Sequence, residues 1–213
     1  MEHPTKGTPQ GGILSPLLSN IVLNELDWWI ASQWENMPTS YEYKCEIRPN
    51  GTKNKSSIYG AFRNTTKLKE VYIIRYADDF KLFCRKRSDA EKVFIAVKQW
   101  LYDRLKLEVS EEKSKIINLK RHYSEFLGFE IKAVKKRKSY VVKSHMTAKA
   151  IQREKDKLIE QVKKIAHVQN RDDEALEITL YNSMVFGIHN YYRFATMIAT
   201  DCELIHRNVS TVM

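Results

Sequence analysis

The chain has 213 residues, of which 43% are hydrophobic and only seven are glycine, and this composition excludes an intrinsically disordered protein. The net charge of +10 indicates a polyanionic partner such as nucleic acid, although a basic protein kept soluble by its charge has the same composition. Three widely spaced cysteines form neither a zinc-binding pattern nor a disulfide framework. Without a signal peptide or a membrane-spanning apolar run, we expect no membrane partner and a reducing location, cytoplasmic or organellar, and no secretion.

The first half of the chain predicts a loop, a helix and a strand pair. A Gly/Pro-rich loop occupies the first dozen residues, and the following helix is expected to use Ser15 as its cap and Pro16 in its first turn. Residues 35–69 are polar and rich in turn-forming residues, which predicts an irregular insertion with room for a hairpin. Residues 71–76 and 80–84 predict two strands joined by a tight turn.

The second half predicts a helix, short strands and then helices alone. A capping box of Ser88 and Glu91 marks the start of a helix. Short strands are predicted at residues 116–119, 126–131 and 139–142, the last two paired across a basic turn. From Thr147 the apolar residues recur at helical spacing, so the expected class is α+β with a purely helical end.

Two aspartates, Asp78 and Asp79, stand side by side between the predicted strands. Adjacent carboxylates repel each other unless a cation neutralises them, and oxygen ligands suit magnesium, which keeps several waters. Two such ions about 4 Å apart can activate a hydroxyl and stabilise a leaving phosphate. The aspartates alone leave a solvated turn without metal open as the alternative.

The residues around the aspartates resemble one family, motif after motif and in order. Tyr76-Ala77-Asp78-Asp79 resembles the catalytic hairpin of reverse transcriptases, and the loop and helix GTPQGGILSPLLSN at residues 7–20 resemble the segment that precedes it. Further matches follow at Leu105–Lys113, at Phe126-Leu127-Gly128-Phe129 as the primer-grip strand, and at Tyr181-Asn182 with Gly187–Arg193 as the thumb signature of group II intron-encoded reverse transcriptases, the maturases.

The resemblance implies a partial right-hand polymerase. Residues 1–145 would be the palm, an antiparallel sheet with helices on one face and an insertion at about 35–69, and residues 146–213 the α-helical thumb. The implied activity is RNA-directed DNA polymerisation with two Mg²⁺ (or Mn²⁺) ions, held by Asp78 as the surer ligand and by Asp79. The implied partners are an RNA template, a DNA primer, deoxynucleotides and intron RNA.

The resemblance also assigns roles to single residues. Those shaping the nucleotide and template pocket would be Gly7, Pro9, Gln10, Gly11, Gly12, Tyr76 and Ala77. The primer grip would comprise Phe126, Leu127 and Gly128. Lys113 would approach the leaving pyrophosphate as a proton donor. The structural alternatives are an ordinary helix-capping loop, a packed strand tyrosine at position 76 and a solvated lysine, and Arg75 is left open between the site and a structural carboxylate.

Residues 121–164 form a basic stretch, with thirteen Lys or Arg against five Asp or Glu, a net of +8. We expect contacts to the phosphate backbone that do not read sequence, although charge runs are commonly just solvated faces. The expected contact residues are Lys135, Lys136, Arg137, Lys149, Arg153 and Lys157. The aromatic residues Tyr191, Tyr192 and Phe194 either stack on bases or belong to the thumb core.

The family pattern includes a third palm carboxylate, on a strand before the glycine-rich loop, and fingers that also precede the loop. The other aspartates offer no substitute: Asp27 lies on an amphipathic helix and is better interpreted as structural, and Asp103 and Asp156 do not follow an apolar strand. We therefore expect the chain alone to be inactive and to need a second chain or segment. The alternatives are a maturase that stabilises intron RNA without polymerising, and a retron or CRISPR-associated relative.

Overall fold

The computed structural model describes residues 14–212 and confirms an α+β fold with two small antiparallel sheets and six helices in that range. The elements up to residue 116 are α1 (Ser15–Gln33), α2 (Ser56–Thr65), β1 (Val71–Tyr76), β2 (Asp79–Cys84) and α3 (Arg87–Leu105). The later elements are β3 (Ser124–Phe126), β4 (Phe129–Lys136), β5 (Ser139–Met146), α4 (Ala148–Ala166), α5 (Arg171–Tyr192) and α6 (Ile198–Ser210).

The chain forms two compact units that divide between Ile116 and Ile117, about thirty residues before the expected palm–thumb boundary at 145/146. The physical reason is that the strands β4 and β5 share a core with the later helices. Phe129 and Met146 pack in one apolar cluster with Leu158 of α4 and its neighbours. The assignment of residues 1–145 and 146–213 to palm and thumb stays a prediction about the family's architecture.

The N-terminal unit is built around one face of the β1–β2 hairpin. Leu26 and Ile30 of α1 and Trp34, the residue that follows this helix, are at most 1% exposed and pack with Val97 and Leu101 of α3. Strand residues on alternate positions complete this core, because side chains of a strand point to opposite faces in turn. The hairpin therefore has one face covered by helices, which is what the expected palm sheet requires.

The predicted irregular insertion at 35–69 contains a helix that the sequence pattern did not reveal. A small hairpin is present, with a bridge between Ile47 and Lys53, but α2 then contributes the buried ring of Phe62 to the core. The ring of Phe62 packs edge-on against Trp34 at 5.5 Å between centroids. The helix is short and its neighbouring residues are polar, so the sequence contains no long run of apolar residues at helical spacing that would predict it.

An ion pair between Arg63 and Glu70 also connects α2 to the residue before β1. The Arg63 Nε donates a hydrogen bond to Glu70 at 2.8 Å, and the Nη2 bonds the other carboxylate oxygen. These hydrogen bonds lower the pKa of Glu70, whose side chain is only 13% exposed. The segment 35–69 is therefore partly integrated into the core.

Three local expectations from the sequence are wrong. Helix α3 begins at Arg87 without a side-chain cap, and Glu91 pairs with Arg87, so the capping box of Ser88 is absent. Helix α1 includes Ser15 as its first residue and has Leu14 at the cap position. Residues 116–119 form no strand, although the carbonyl oxygen of Leu119 accepts one backbone hydrogen bond from Ala133 N of β4 at 2.9 Å.

The C-terminal unit packs a three-stranded sheet, in the order β3-β4-β5, with α4, α5 and α6. The predicted helix after residue 146 is confirmed, and Thr147 caps it by accepting a hydrogen bond from Ala150 N at 3.2 Å. Buried Asp201 holds β5 by accepting from Met146 N at 2.8 Å and by pairing with His145. Among the described residues, no helix is long and apolar enough to cross a membrane.

We predict that Phe62→Ala lowers the free energy of unfolding of the N-terminal unit by about 3 kcal/mol, because it leaves a cavity beside Trp34. Urea unfolding followed by tryptophan fluorescence measures this, since all four tryptophans lie between residues 28 and 100. The control is Ile95→Ala, which removes a side chain that is 65% exposed and should change the value by at most about 0.5 kcal/mol. Equal effects would contradict the integration of α2.

Candidate active site

The two aspartates lie at the tip of the β1–β2 hairpin, as expected. Tyr76 pairs with Asp79, so Ala77 and Asp78 form a two-residue turn. Ala77 has a φ of 52°, in the left-handed region that costs an L-residue about 1–2 kcal/mol. Both aspartates are exposed, so their carboxylates can bind an ion that keeps part of its water shell.

The strand register separates the two faces of this hairpin. Val71, Ile73 and Arg75 share the face that the helices cover, together with their cross-strand partners. Tyr76 and Asp79 share the other face, where Tyr76 is 67% exposed. Tyr76 is therefore not part of the core, and its predicted role beneath a primer end or a nucleotide stays a prediction.

Arg75 connects the turn to helix α1. Its guanidinium, 10% exposed, donates from Nε and Nη2 to the carboxylate of Asp27, with the shortest bond at 2.6 Å. Its Nη1 donates to Asn20 Oδ1 and to the carbonyl oxygen of Ala77, both at 2.8 Å. The hydrogen bonds to Asp27 raise the pKa of Arg75, which stays charged. Asp27 thus has the structural role expected for it, and Arg75 is its partner.

The aspartate pair fits the donor chemistry that magnesium requires. Exposed carboxylate oxygens suit a hard cation that keeps several waters. Within residues 14–212, no group of three or more Asp, Glu, His or Cys residues could hold a metal ion. The third carboxylate expected from another segment or chain stays a prediction.

The structure does not connect two other predicted parts of this site, Lys113 and the glycine-rich loop, with the aspartates. Lys113 is exposed in a turn after α3 and, in the described part of the chain, forms no ion pair with Asp78 or Asp79. The predicted pocket residues Gly7, Pro9, Gln10, Gly11 and Gly12 lie outside the described residues. The roles of all six stay predictions.

The predicted primer-grip strand is a hairpin turn. Phe126 ends β3, Leu127 and Gly128 form the turn with φ of 52° and 79°, and Phe129 begins β4. This correction has a simple reason, since positive φ at two successive residues is incompatible with a strand. Leu127 and Gly128 are consequently presented on a tight loop of the C-terminal unit.

The end of α5 supports this turn. The Tyr191 hydroxyl donates to the carbonyl oxygen of Leu127 at 3.1 Å. A Cβ at Gly128 would approach the Tyr192 hydroxyl to 3.1 Å, so a side chain at this position would press against that ring. Tyr192 is 2% exposed and belongs to the core, whereas Phe194 is 75% exposed beneath the guanidinium of Arg193. Tyr192 is therefore a core residue, and base stacking by the exposed Tyr191 and Phe194 stays a prediction.

The basic residues singled out in the sequence are exposed but differ in how far they are neutralised. Lys135 and Lys136 end β4, and Arg137 begins the turn to β5 with a φ of 55°. On α4, Lys149, Arg153 and Lys157 are spaced by four and share one face. Glu154 pairs with Arg153 at 2.6 Å and with Lys157 at 3.5 Å, which weakens the field of this second group.

Residues 3–131 match the sequence profile of the reverse transcriptases, described as RNA-dependent DNA polymerases. This segment contains both the glycine-rich loop and the hairpin that carries Asp78 and Asp79. The chain belongs to the reverse transcriptase family. The resemblance inferred from the order of the motifs is thereby confirmed.

The relatives of this reverse transcriptase chain include several intron-encoded proteins. It is 30% identical over 245 aligned residues to the group II intron-encoded protein LtrA of Lactococcus lactis subsp. cremoris, covering 91% of this chain and 41% of that protein. It is 22% identical to the COX1/OXI3 intron 2 protein of Saccharomyces cerevisiae, covering 93% and 28%. It is 31% identical to protein YkfC of Escherichia coli, covering 64% and 34%. The chain thus spans less than half the length of these relatives.

We predict that Ala77→Gly raises the free energy of unfolding of the N-terminal unit by up to about 1 kcal/mol. Glycine adopts positive φ without the cost that alanine incurs, although its larger entropy in the unfolded chain offsets part of the gain. Ala96→Gly, in the exposed middle of α3, should lower the value by about 1 kcal/mol. The same fluorescence-detected urea titration measures both variants, and effects of the same sign would contradict the strained turn.

Proposed function

We propose that this chain is the part of a group II intron-type reverse transcriptase that carries the Asp78–Asp79 hairpin of the active site, and that it acts in RNA-directed DNA polymerisation. The observation that carries the proposal is the hairpin itself, with two exposed carboxylates on a two-residue turn inside the matched reverse transcriptase segment. The similarity to LtrA over 91% of this chain supports the group II intron class.

The carboxylates of Asp78 and Asp79 would hold two Mg²⁺ ions, with Asp78 as the principal ligand. When bound, such ions lower the pKa of a primer 3′-hydroxyl and neutralise charge on the phosphates. The hydroxyl oxygen would form a bond to the α-phosphorus of a deoxynucleotide as its proton passes to water, the bond from that phosphorus to the bridging oxygen would break, and pyrophosphate would leave. Lys113 donates a proton to the pyrophosphate in this scheme, and Ala77 and Tyr76 lie beneath the nucleotide and the primer end.

Two carboxylates cannot hold two divalent ions firmly, because each ion prefers several oxygen ligands in near-ideal geometry. We propose that another segment or chain supplies the third carboxylate together with the fingers. The turn of Leu127 and Gly128 would hold the primer strand, and Gln10 with the neighbouring glycines would shape the nucleotide pocket. Phosphate contacts come from Lys135, Lys136 and Arg137, and from Lys149, Arg153 and Lys157 on α4.

We predict that Asp78→Asn abolishes primer extension, with a loss of at least about a thousandfold, because it removes the negative charge that holds the metal. The assay mixes the chain, a primed RNA template, deoxynucleotides and Mg²⁺ with a polypeptide carrying the fingers and first palm strand of a relative. Asp103→Asn is the control, since Asp103 lies on α3 outside the hairpin and its loss should leave extension unchanged.

Primer extension by the chain alone, without any added polypeptide, would contradict the need for a third carboxylate from another chain. Extension that survives Asp78→Asn would contradict the assignment of the active site. Removal of Mg²⁺ with a chelator should stop extension, and its restoration by Mn²⁺ is expected because both ions accept oxygen ligands.

The second candidate function is RNA binding that stabilises folded intron RNA without polymerisation. The observation that favours it is the exposed basic end of the β4–β5 hairpin, where Lys135 and Lys136 precede the turn. Contacts of this kind bind phosphates of any sequence. The two functions can share one chain, because the basic hairpin and the aspartates belong to different units.

We predict that Lys135→Gln with Lys136→Gln weakens binding to structured RNA and makes the slope of log K against log salt about 1–2 units shallower. The control is Lys67→Gln with Lys92→Gln, two exposed lysines of the N-terminal unit, which changes net charge equally. Filter binding at several salt concentrations measures the slope. Equal slopes for the two double variants would show that net charge alone, and not this hairpin, governs binding.

A further inference from the structure

Arg75 makes an unusual set of contacts for a residue of the catalytic hairpin. It lies on the face of β1 that packs on the helices, one residue before Tyr76. Its five hydrogen bonds go to Asp27 and Asn20 on α1 and to the carbonyl oxygen of Ala77. The guanidinium therefore links a rigid helix directly to the turn that carries Asp78.

The bond to Ala77 acts on the peptide group that precedes Asp78. The carbonyl of Ala77 and the N–H of Asp78 belong to one planar peptide unit, so fixing the oxygen also fixes the orientation of the nitrogen. Ala77 is in a conformation that L-residues avoid, and such conformations persist where surrounding contacts enforce them. The direction in which the Asp78 side chain leaves the backbone thus depends on the contact at Arg75.

We propose that Arg75 is a positioning residue for Asp78, which holds the Ala77–Asp78 peptide from α1 and so fixes the direction of the metal-binding carboxylate. This inference deepens the proposed function, since it concerns the same site and rests on the role of Asp78 there. Asp27 anchors the guanidinium at two nitrogens, and Asn20 orients the third nitrogen, which also reaches the turn. The planar fork of arginine makes this bridge, and a lysine ammonium at one point cannot.

The experiment compares Arg75→Lys with Arg63→Lys in the full chain. In each variant, lysine replaces an arginine of the N-terminal unit that donates hydrogen bonds from two nitrogens to a carboxylate. Arg63 differs from Arg75 in that it bonds Glu70, at the other end of β1. Mn²⁺ is titrated into ¹⁵N-labelled protein, and the paramagnetic broadening of the Asp78 and Asp79 amide signals gives the midpoint of binding. Thermal unfolding confirms that each variant is folded.

We expect Arg75→Lys to raise the Mn²⁺ midpoint about tenfold, as is typical when a residue that orients a metal ligand is lost, and Arg63→Lys to leave it unchanged. A second measurement is the heteronuclear NOE of the Ala77 and Asp78 amides, which Arg75→Lys should lower because the peptide is released. An unchanged midpoint and an unchanged NOE in folded Arg75→Lys protein would overturn the proposal.

Two outcomes separate this inference from the proposed function. If the unmodified chain shows no broadening at its aspartates, the metal-binding part of the proposed function fails, and the NOE alone decides whether Arg75 holds the turn. If Arg75→Lys does not fold, Asp27→Asn takes its place, because it leaves the arginine intact and weakens its anchor. A wild-type NOE in Asp27→Asn would then count against the inference, and a lowered NOE would support it.

Discussion

The pairing of Arg75 with Asp27 is the contact on which the candidate active site depends. A charged group on the core face of a strand is costly unless it is paired and hydrogen-bonded, and here each of the three guanidinium nitrogens of Arg75 donates to an acceptor. The pair fixes the hairpin relative to α1 at the end where the aspartates lie, while apolar packing around Trp34 and Val71 fixes the other end. The exposed turn of Ala77 and Asp78 therefore belongs to a hairpin that is fixed at both of its ends.

The sequence predicted the hairpin well because its signals are local. Two apolar runs flank a short polar break, and the register places Tyr76 opposite Asp79 as a tight turn requires. It left the partner of Arg75 open, although a signal existed. Arg75 follows Val71 and Ile73 at alternate positions of β1 and therefore lies on the same face of the strand. Asp27 lies on the side of α1 that also carries Leu23 and Ile30. Opposite charges on two faces that must pack together predict an ion pair.

Other features depend on contacts between residues far apart in sequence, and no local pattern could reveal them. Helix α2 is recognisable as part of the core only when Phe62 meets Trp34, which lies 28 positions earlier. The Phe126–Phe129 motif has the apolar composition of a strand, and its turn follows from the glycine and from Tyr191, whose hydroxyl bonds Leu127. The division at 116/117 likewise reflects packing of β4 and β5 with helices that come later.

The turns that join β1 to β2, β3 to β4 and β4 to β5 differ in how their backbone is held. Each begins with a non-glycine residue at positive φ: Ala77, Leu127 and Arg137. The carbonyls of Ala77 and Leu127 accept hydrogen bonds from Arg75 and Tyr191, side chains outside the turns. Among the described contacts, the carbonyl oxygen of Arg137 has no side-chain donor, and this turn is the basic one that we propose to contact phosphates of any sequence. The two turns proposed to hold a primer or a metal are thus fixed by side chains outside the turn. The electrostatic binding proposed for the third turn needs no fixed backbone, because the energy between charges varies slowly with distance.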